Sequence, residues 1–85
     1  MSFLAKNYNR KKIAFKRGKG SFLISAKGQK YLDFVQGIAV NSLGHAHPKL
    51  IKALNNQSKK IWHVSNAFII PEQERLAKKI VKKTF

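Results

Sequence analysis

With 85 residues the chain forms at most one small domain, and 18 lysines and arginines against three acids give it a formal charge of +15. The absence of cysteine excludes disulfide staples and thiolate metal sites. No run approaches the ~20 apolar residues of a membrane-spanning helix. Such a charge admits a nucleic-acid partner. Fifteen of the cations are lysines spread along the chain, however, and only Arg10, Arg17 and Arg75 carry the planar fork suited to reading base edges. The charge therefore reads as a solvated surface, or as one balanced by protein outside this chain. A small Lys-rich nucleic-acid-binding module is the rival reading. A membrane-surface protein using a Lys-faced amphipathic helix is a second.

Residues 1–10 are polar and read as an arm. The patterning predicts a strand over Lys12–Arg17, with Ile13 and Phe15 on one face, and a turn at Gly18-Lys19-Gly20. Ser21–Ser25 follows as a second strand, apolar enough to be covered on both faces. Ala26–Gln29 reads as a turn that closes a hairpin through a glycine in the left-handed region. Lys30–Phe34 completes an antiparallel meander. Asp33, the only acid in the first 71 residues, falls at its exit.

Gly37–Pro48, reading GIAVNSLGHAHP, has neither the alternation of a strand nor the spacing of an amphipathic helix. An apolar connection so rich in special backbone has to fit closely against something, and loops of this kind carry function more often than the elements they join. Pro48 then opens a helix of about four turns, with Leu50, Ile51, Leu54, Ile61 and Trp62 on one side. His63–Ile70 is a second irregular apolar connection. Pro71 opens another helix. Glu72 and Glu74 lie in its first turn and Lys78, Lys79, Lys82 and Lys83 toward its end, as the helix dipole favours. Leu76, Ala77, Ile80 and Val81 make its apolar stripe. The chain ends on Phe85 with no glycine cap. The expected fold is α+β, a three-stranded antiparallel meander followed by two helices. These elements bury one another poorly, so the chain reads as the beginning of a larger domain.

Few constellations carry chemistry. His45, His47 and His63 could suggest a metal, but a zinc site wants three ligands with supporting carboxylates, and acids are too few. The simpler reading has His47 capping the Pro48 helix and His45 bonding within its own turn. Asp33 has no partner acid for paired-carboxylate chemistry. No serine sits in a G-x-S-x-G elbow, and Gly18-x-Gly20 lacks the rest of a phosphate fingerprint. Apart from Lys30, which reads better as an exposed strand position, no lysine stands in a clearly apolar stretch, as a Schiff-base lysine requires. Trp62-His63-Val64-Ser65-Asn66 suggests a buried junction, read either as helix-end packing or as an interface beside a ligand. No catalytic, cofactor-binding or metal residue is expected.

Several runs together resemble a known family. They are Tyr31-Leu32-Asp33-Phe34, Gly37-Ile38-Ala39-Val40-Asn41, Leu43-Gly44-His45-Ala46-His47-Pro48 and Trp62-His63-Val64-Ser65-Asn66, with Phe15–Gly20 and Pro71–Ala77 in support. They are similar to the amino-terminal region of the class III pyridoxal-phosphate aminotransferases, the ornithine and 4-aminobutyrate type. Gly-His-x-His-Pro occurs across that group; Gly37–Val40 with Trp62–Asn66 points to its acetylornithine branch. The resemblance implies the start of a fold-type I enzyme that works as a cytoplasmic homodimer in arginine biosynthesis. Such an enzyme moves an amino group between N-acetylornithine, or a related omega-amine, and 2-oxoglutarate, with pyridoxal 5'-phosphate as cofactor. It further implies that residues 11–85 form the small-domain meander, the cleft loop and the first helices. Ile38, Asn66 and Phe68 would lie on the substrate side. The segment would stop before the cofactor phosphate loop, the aspartate that pairs with the pyridine nitrogen and the Schiff-base lysine, so the chain alone is expected to be inactive.

Overall fold

The computed structural model describes residues 2–84; Met1 of the expected arm and Phe85, the expected uncapped end, lie outside the described residues. The elements run β1 (Phe15–Lys19), β2 (Phe22–Ser25), β3 (Lys30–Leu32), α1 (Gln36–Ala39), α2 (Pro48–Ser58) and α3 (Pro71–Thr84). They divide into two compact units, the first ending at Ala53 and the second starting at Leu54.

In the first unit the strands form one antiparallel sheet in the order β1-β2-β3. The meander is as expected, but its first strand is displaced. Ile13 lies outside β1, and Gly18 and Lys19, expected in the turn, are strand residues. The turn is instead the two-residue step Gly20-Ser21, because Lys19 pairs with Phe22. Gly20 has φ 56°. A positive φ at the first of two turn residues suits a hairpin whose strands keep their right-handed twist, and glycine takes it without strain. A register shift between Phe15 and Arg17 inserts one extra residue into β1. The second hairpin closes as expected, with Gly28 at φ 88°. Ser25 is buried there, and its Oγ accepts the Gln29 N–H at 3.0 Å.

The register sorts the sheet's side chains. Arg17, Lys19, Phe22, Ile24, Lys30 and Leu32 share one face; Phe15, Gly18, Leu23, Ser25 and Tyr31 share the other. On the second face Phe15 and Tyr31 meet edge to face, their ring centroids 5.7 Å apart. The first face borders an open hollow of about 870 Å³, with the Lys30 ammonium 4.0 Å from the Phe22 ring centre. The expectation that β2 is covered on both faces therefore fails in this chain.

Helix α2 starts at Pro48 as expected but has 11 residues, about three turns. Asn55, Asn56 and Ser58 explain the early stop, since their side chains compete for backbone hydrogen bonds. Ser58 Oγ donates to the Asn55 carbonyl at 3.0 Å, and the Lys60 N–H turns back to Gln57 O. Ile61 and Trp62, expected on the helix, lie past its end. In the second unit α3 runs its expected course. Glu72 pairs with Arg75 at 3.5 Å one turn on, an exposed contact worth at most about 1 kcal/mol.

Among the described residues no hydrophobic side chain is buried, and the apolar stripe of α3 at Leu76, Ile80 and Val81 is open. Burial of apolar area is the main favourable term in folding, at about 25 cal/mol per Å². Backbone pairing alone does not offset the chain entropy. The isolated chain is therefore expected to bind a hydrophobic dye such as ANS strongly and to show no heat-absorption peak on melting. A sharp two-state transition of a monomer in calorimetry would contradict this.

Candidate functional site

The first unit is tied together by one carboxylate. Asp33 leaves β3 with its own N–H donating to the Ser21 carbonyl at 2.8 Å. Its Oδ1 accepts the N–H groups of Val35 and Gln36, both at 3.0 Å. Its Oδ2 accepts a hydrogen bond from His45 Nε2 at 2.6 Å. The Asp33 side chain is only 8% exposed and that of His45 19%. The backbone N–H of Gln36 and the His45 ring, with the Val35 N–H, hold the carboxyl below its ordinary value of 3.8, against the opposing effect of burial.

His45 is fixed from its other side by the hairpin tip. Gly20 and His45 exchange both backbone hydrogen bonds, at 2.9 and 2.8 Å. Two glycines make room for this. A Cβ at Gly18 would sit 2.6 Å from His45 Cγ, and one at Gly44 would sit 3.0 Å from the Gly20 carbonyl oxygen. Gly44 also has φ 86°. The expectation that His45 bonds within its own turn is thus corrected. It reaches twelve residues back, because the Gly44 step sets its backbone against the hairpin and its ring over Gly18. His47 does serve the helix: its Nδ1 accepts the Lys49 N–H at 3.2 Å.

The two amides that donate to Asp33 open an unusual turn. Gln36, Gly37, Ile38 and Ala39 have φ of 57°, 63°, 60° and 65°, so α1 is a single left-handed turn. The Ile38 and Ala39 amides return to Val35 O, and the Asn41 amide to Gln36 O. Left-handed backbone costs residues other than glycine roughly 1–2 kcal/mol each, and a β-branched residue is seldom found there. The turn leaves Ile38 87% exposed. Beside it Ser21, Asp33, Gln36, Asn41, Ser42, His45 and His47 line a polar cavity of about 360 Å³.

The other expected substrate-side residues belong to the second unit. Trp62 is 85% exposed, so the expected buried junction is absent from this chain. Its Nε1–H donates to the Ser58 carbonyl at 2.6 Å and Gln57 Nε2 to the Ile61 carbonyl at 2.8 Å, which makes the segment a cap on α2. Ser65 takes φ 75°, and its hydroxyl accepts the Ala67 N–H at 3.3 Å. Asn66 lies exposed on that turn. Phe68, with Ile61, Val64, Ile69 and Ile70, lines an open apolar hollow of about 580 Å³.

Among the described residues no group of three or more histidine, aspartate or glutamate side chains converges as a metal would need. Among the described residues no helix is long and apolar enough to cross a membrane. Asp33 stands out in the sequence as a lone acid, but its pairing with His45 is not apparent there. The signal was there in the glycines at 18, 20 and 44, which mark backbone in close approach.

Residues 3–85 match the family Aminotransferase class-III. The acetylornithine aminotransferase of Brucella melitensis is 51% identical over 78 residues, 92% of this chain and 19% of that protein. The acetylornithine aminotransferase of Aquifex aeolicus is 55% identical over 82 residues, 96% of this chain and 22% of that protein. Among solved structures, the acetylornithine aminotransferase of Elizabethkingia anophelis superposes with a TM-score of 0.86 at 33% identity, over 92% of this chain and 20% of that one. The chain thus spans about a fifth of the length of the relatives it matches.

Two outcomes follow when this chain replaces the matched residues of the Aquifex aeolicus relative. Gly28 and Gly44 share a positive φ, but a Cβ at Gly28 meets nothing within 4 Å. Gly44→Ala is therefore expected to cost about 1–3 kcal/mol more than Gly28→Ala by denaturant unfolding, and equal costs would contradict the close packing. The second concerns acid. Because the Asp33 value is depressed in the fold, its contribution is fully present above pH 3.8 and is lost as pH falls through the lower folded value. The melting-temperature gap between parent and Asp33→Asn should narrow over that range, and a constant gap would show that the charge contributes nothing.

Proposed function

Because the chain belongs to the class-III aminotransferase family, we propose that it is the amino-terminal segment of an acetylornithine aminotransferase. At full length that enzyme exchanges an amino group between N-acetylornithine and 2-oxoglutarate in arginine biosynthesis, as a cytoplasmic homodimer. The identity running through nearly the whole chain to relatives of that name supports this most. On this reading residues 1–10 are an arm, and 11–85 are the meander, cleft loop and first helices of a fold-type I enzyme. The open apolar faces are those that the remaining polypeptide covers.

Ile38, Asn66 and Phe68 are assigned to the substrate side of the cleft. Ile38 offers an apolar surface from a strained turn, Phe68 offers another beside its hollow, and Asn66 brings an amide that can donate and accept. The cofactor of the full enzyme is pyridoxal 5'-phosphate, and the residues of this chain do not fit its site. Every lysine is exposed, whereas a lysine that condenses with a carbonyl needs desolvation to lose its proton. Asp33 is committed to His45 and two amides, and Glu72 and Glu74 are solvated. The groups that act on the cofactor therefore come from elsewhere, and this segment contributes walls and positions.

The reading is tested by the same replacement in the Aquifex aeolicus relative. The hybrid is expected to transaminate N-acetylornithine, and the 85-residue chain supplied with the cofactor is not. In the hybrid, Phe68→Ala should raise KM for N-acetylornithine about tenfold with kcat nearly unchanged, the pattern of a lost apolar contact. A folded hybrid with no activity would overturn the assignment.

A further inference from the structure

We propose that Asp33 is a positioning residue that sets the fit of the amino donor by holding the left-handed turn that presents Ile38. This rests on the assignment of Ile38 to the substrate side. Four consecutive residues with positive φ, one of them β-branched, do not persist by local preference. Strained backbone survives only where its surroundings over-determine it. Here the surroundings are countable. Oδ1 of Asp33 takes the two amides that begin the turn, those of Val35 and Gln36. Oδ2 is held at 2.6 Å by His45. His45 is itself locked by the double backbone bond to Gly20 and by the absence of side chains at Gly18 and Gly44. The Asp33 backbone is fixed by the Ser21 carbonyl.

The carboxylate thus joins three separate stretches, the hairpin tip, the left-handed turn and the Gly44-His45 step. Each holds the next, and the free end of the arrangement is the exposed Ile38 side chain. Removing the carboxylate frees the Val35 and Gln36 amides. The turn then relaxes toward negative φ and carries Ile38 with it. Asp33 touches no reacting atom in this scheme. Its effect is on how well the apolar part of the donor is held, and the chemical step is untouched.

The test uses the hybrid enzyme, with KM and kcat measured for N-acetylornithine and for 2-oxoglutarate. Asp33→Ala is expected to raise KM for N-acetylornithine about tenfold while kcat stays within about twofold, since lost binding common to ground and transition states appears in KM alone. Asp33→Asn keeps the acceptor for the two amides and should give an intermediate KM. Ala39→Gly relieves strain at one left-handed position, so adding it to Asp33→Ala should recover part of the loss. An unchanged donor KM in Asp33→Ala, or a loss confined to kcat, overturns the proposal and leaves the assignment of the chain intact. If Asp33→Ala does not fold, Asp33→Asn decides: a raised KM supports the proposal and an unchanged one overturns it. A folded parent hybrid without transaminase activity overturns the assignment and the proposal together.

Discussion

The 2.6 Å contact between Asp33 and His45 is the constraint on which the first unit depends. A sheet of three short strands has no hydrophobic centre here, and its hairpins are tied locally. Outside the ladders, the backbone bonds of Asp33 to Ser21 and of His45 to Gly20 and the side-chain contact of Asp33 with His45 bring distant stretches together, at the glycines that admit them. A charged acceptor meeting an N–H donor is the strongest kind of hydrogen bond available to a small fold, and partial burial strengthens it. It is also directional. The carboxylate meets two backbone amides on one oxygen and an imidazole on the other, so rotation of the side chain would break several bonds at once. That is why one acid suffices in a stretch otherwise full of cations.

The two units depend on different physics. The first is held by polar geometry and glycine clearances around a largely buried carboxylate. The second consists of a capped helix end, an irregular apolar turn and α3, whose stripe has nothing over it among the described residues. Its local bonds, from Trp62 to Ser58 and from Gln57 to Ile61, fix where the chain leaves the helix but shelter no apolar area. Both units expose apolar side chains: Ile38 from a strained turn in one, Phe68 beside a hollow in the other.

Much of this was legible from residue order. Glycine at 28 marked the second hairpin, and the prolines at 48 and 71 marked both helix starts. The family was carried by several runs together, those within Tyr31–Pro48 and Trp62–Asn66 above all. Other features were not legible, each for a physical reason. Gly18 reads as a turn residue because glycine is permissive; its actual role is to leave space for His45, a partner 27 residues away that no local window contains. The helix opened by Pro48 seemed to continue to Trp62 because the apolar spacing continues, yet asparagine and serine end it first. The left-handed turn at Gln36–Ala39 has one glycine and three residues that ordinarily avoid that region. Propensity points away from it, and only the capping carboxylate, itself placed by tertiary contact, makes it tenable.

The uncovered stripe of α3 has a consequence for the chain during synthesis. Lys78, Lys79, Lys82 and Lys83 are interleaved with Leu76, Ile80 and Val81 along that helix. In a polypeptide of the relatives' length, translated at about 5–20 residues per second, such a face would wait on the order of tens of seconds for its cover. The lysines then act as gatekeepers, since neighbouring nascent copies of like charge repel before their apolar faces can touch. That protection reaches only about 8 Å at physiological ionic strength. It keeps copies apart at the start of an encounter and would no longer oppose burial once an apolar surface lay against the stripe.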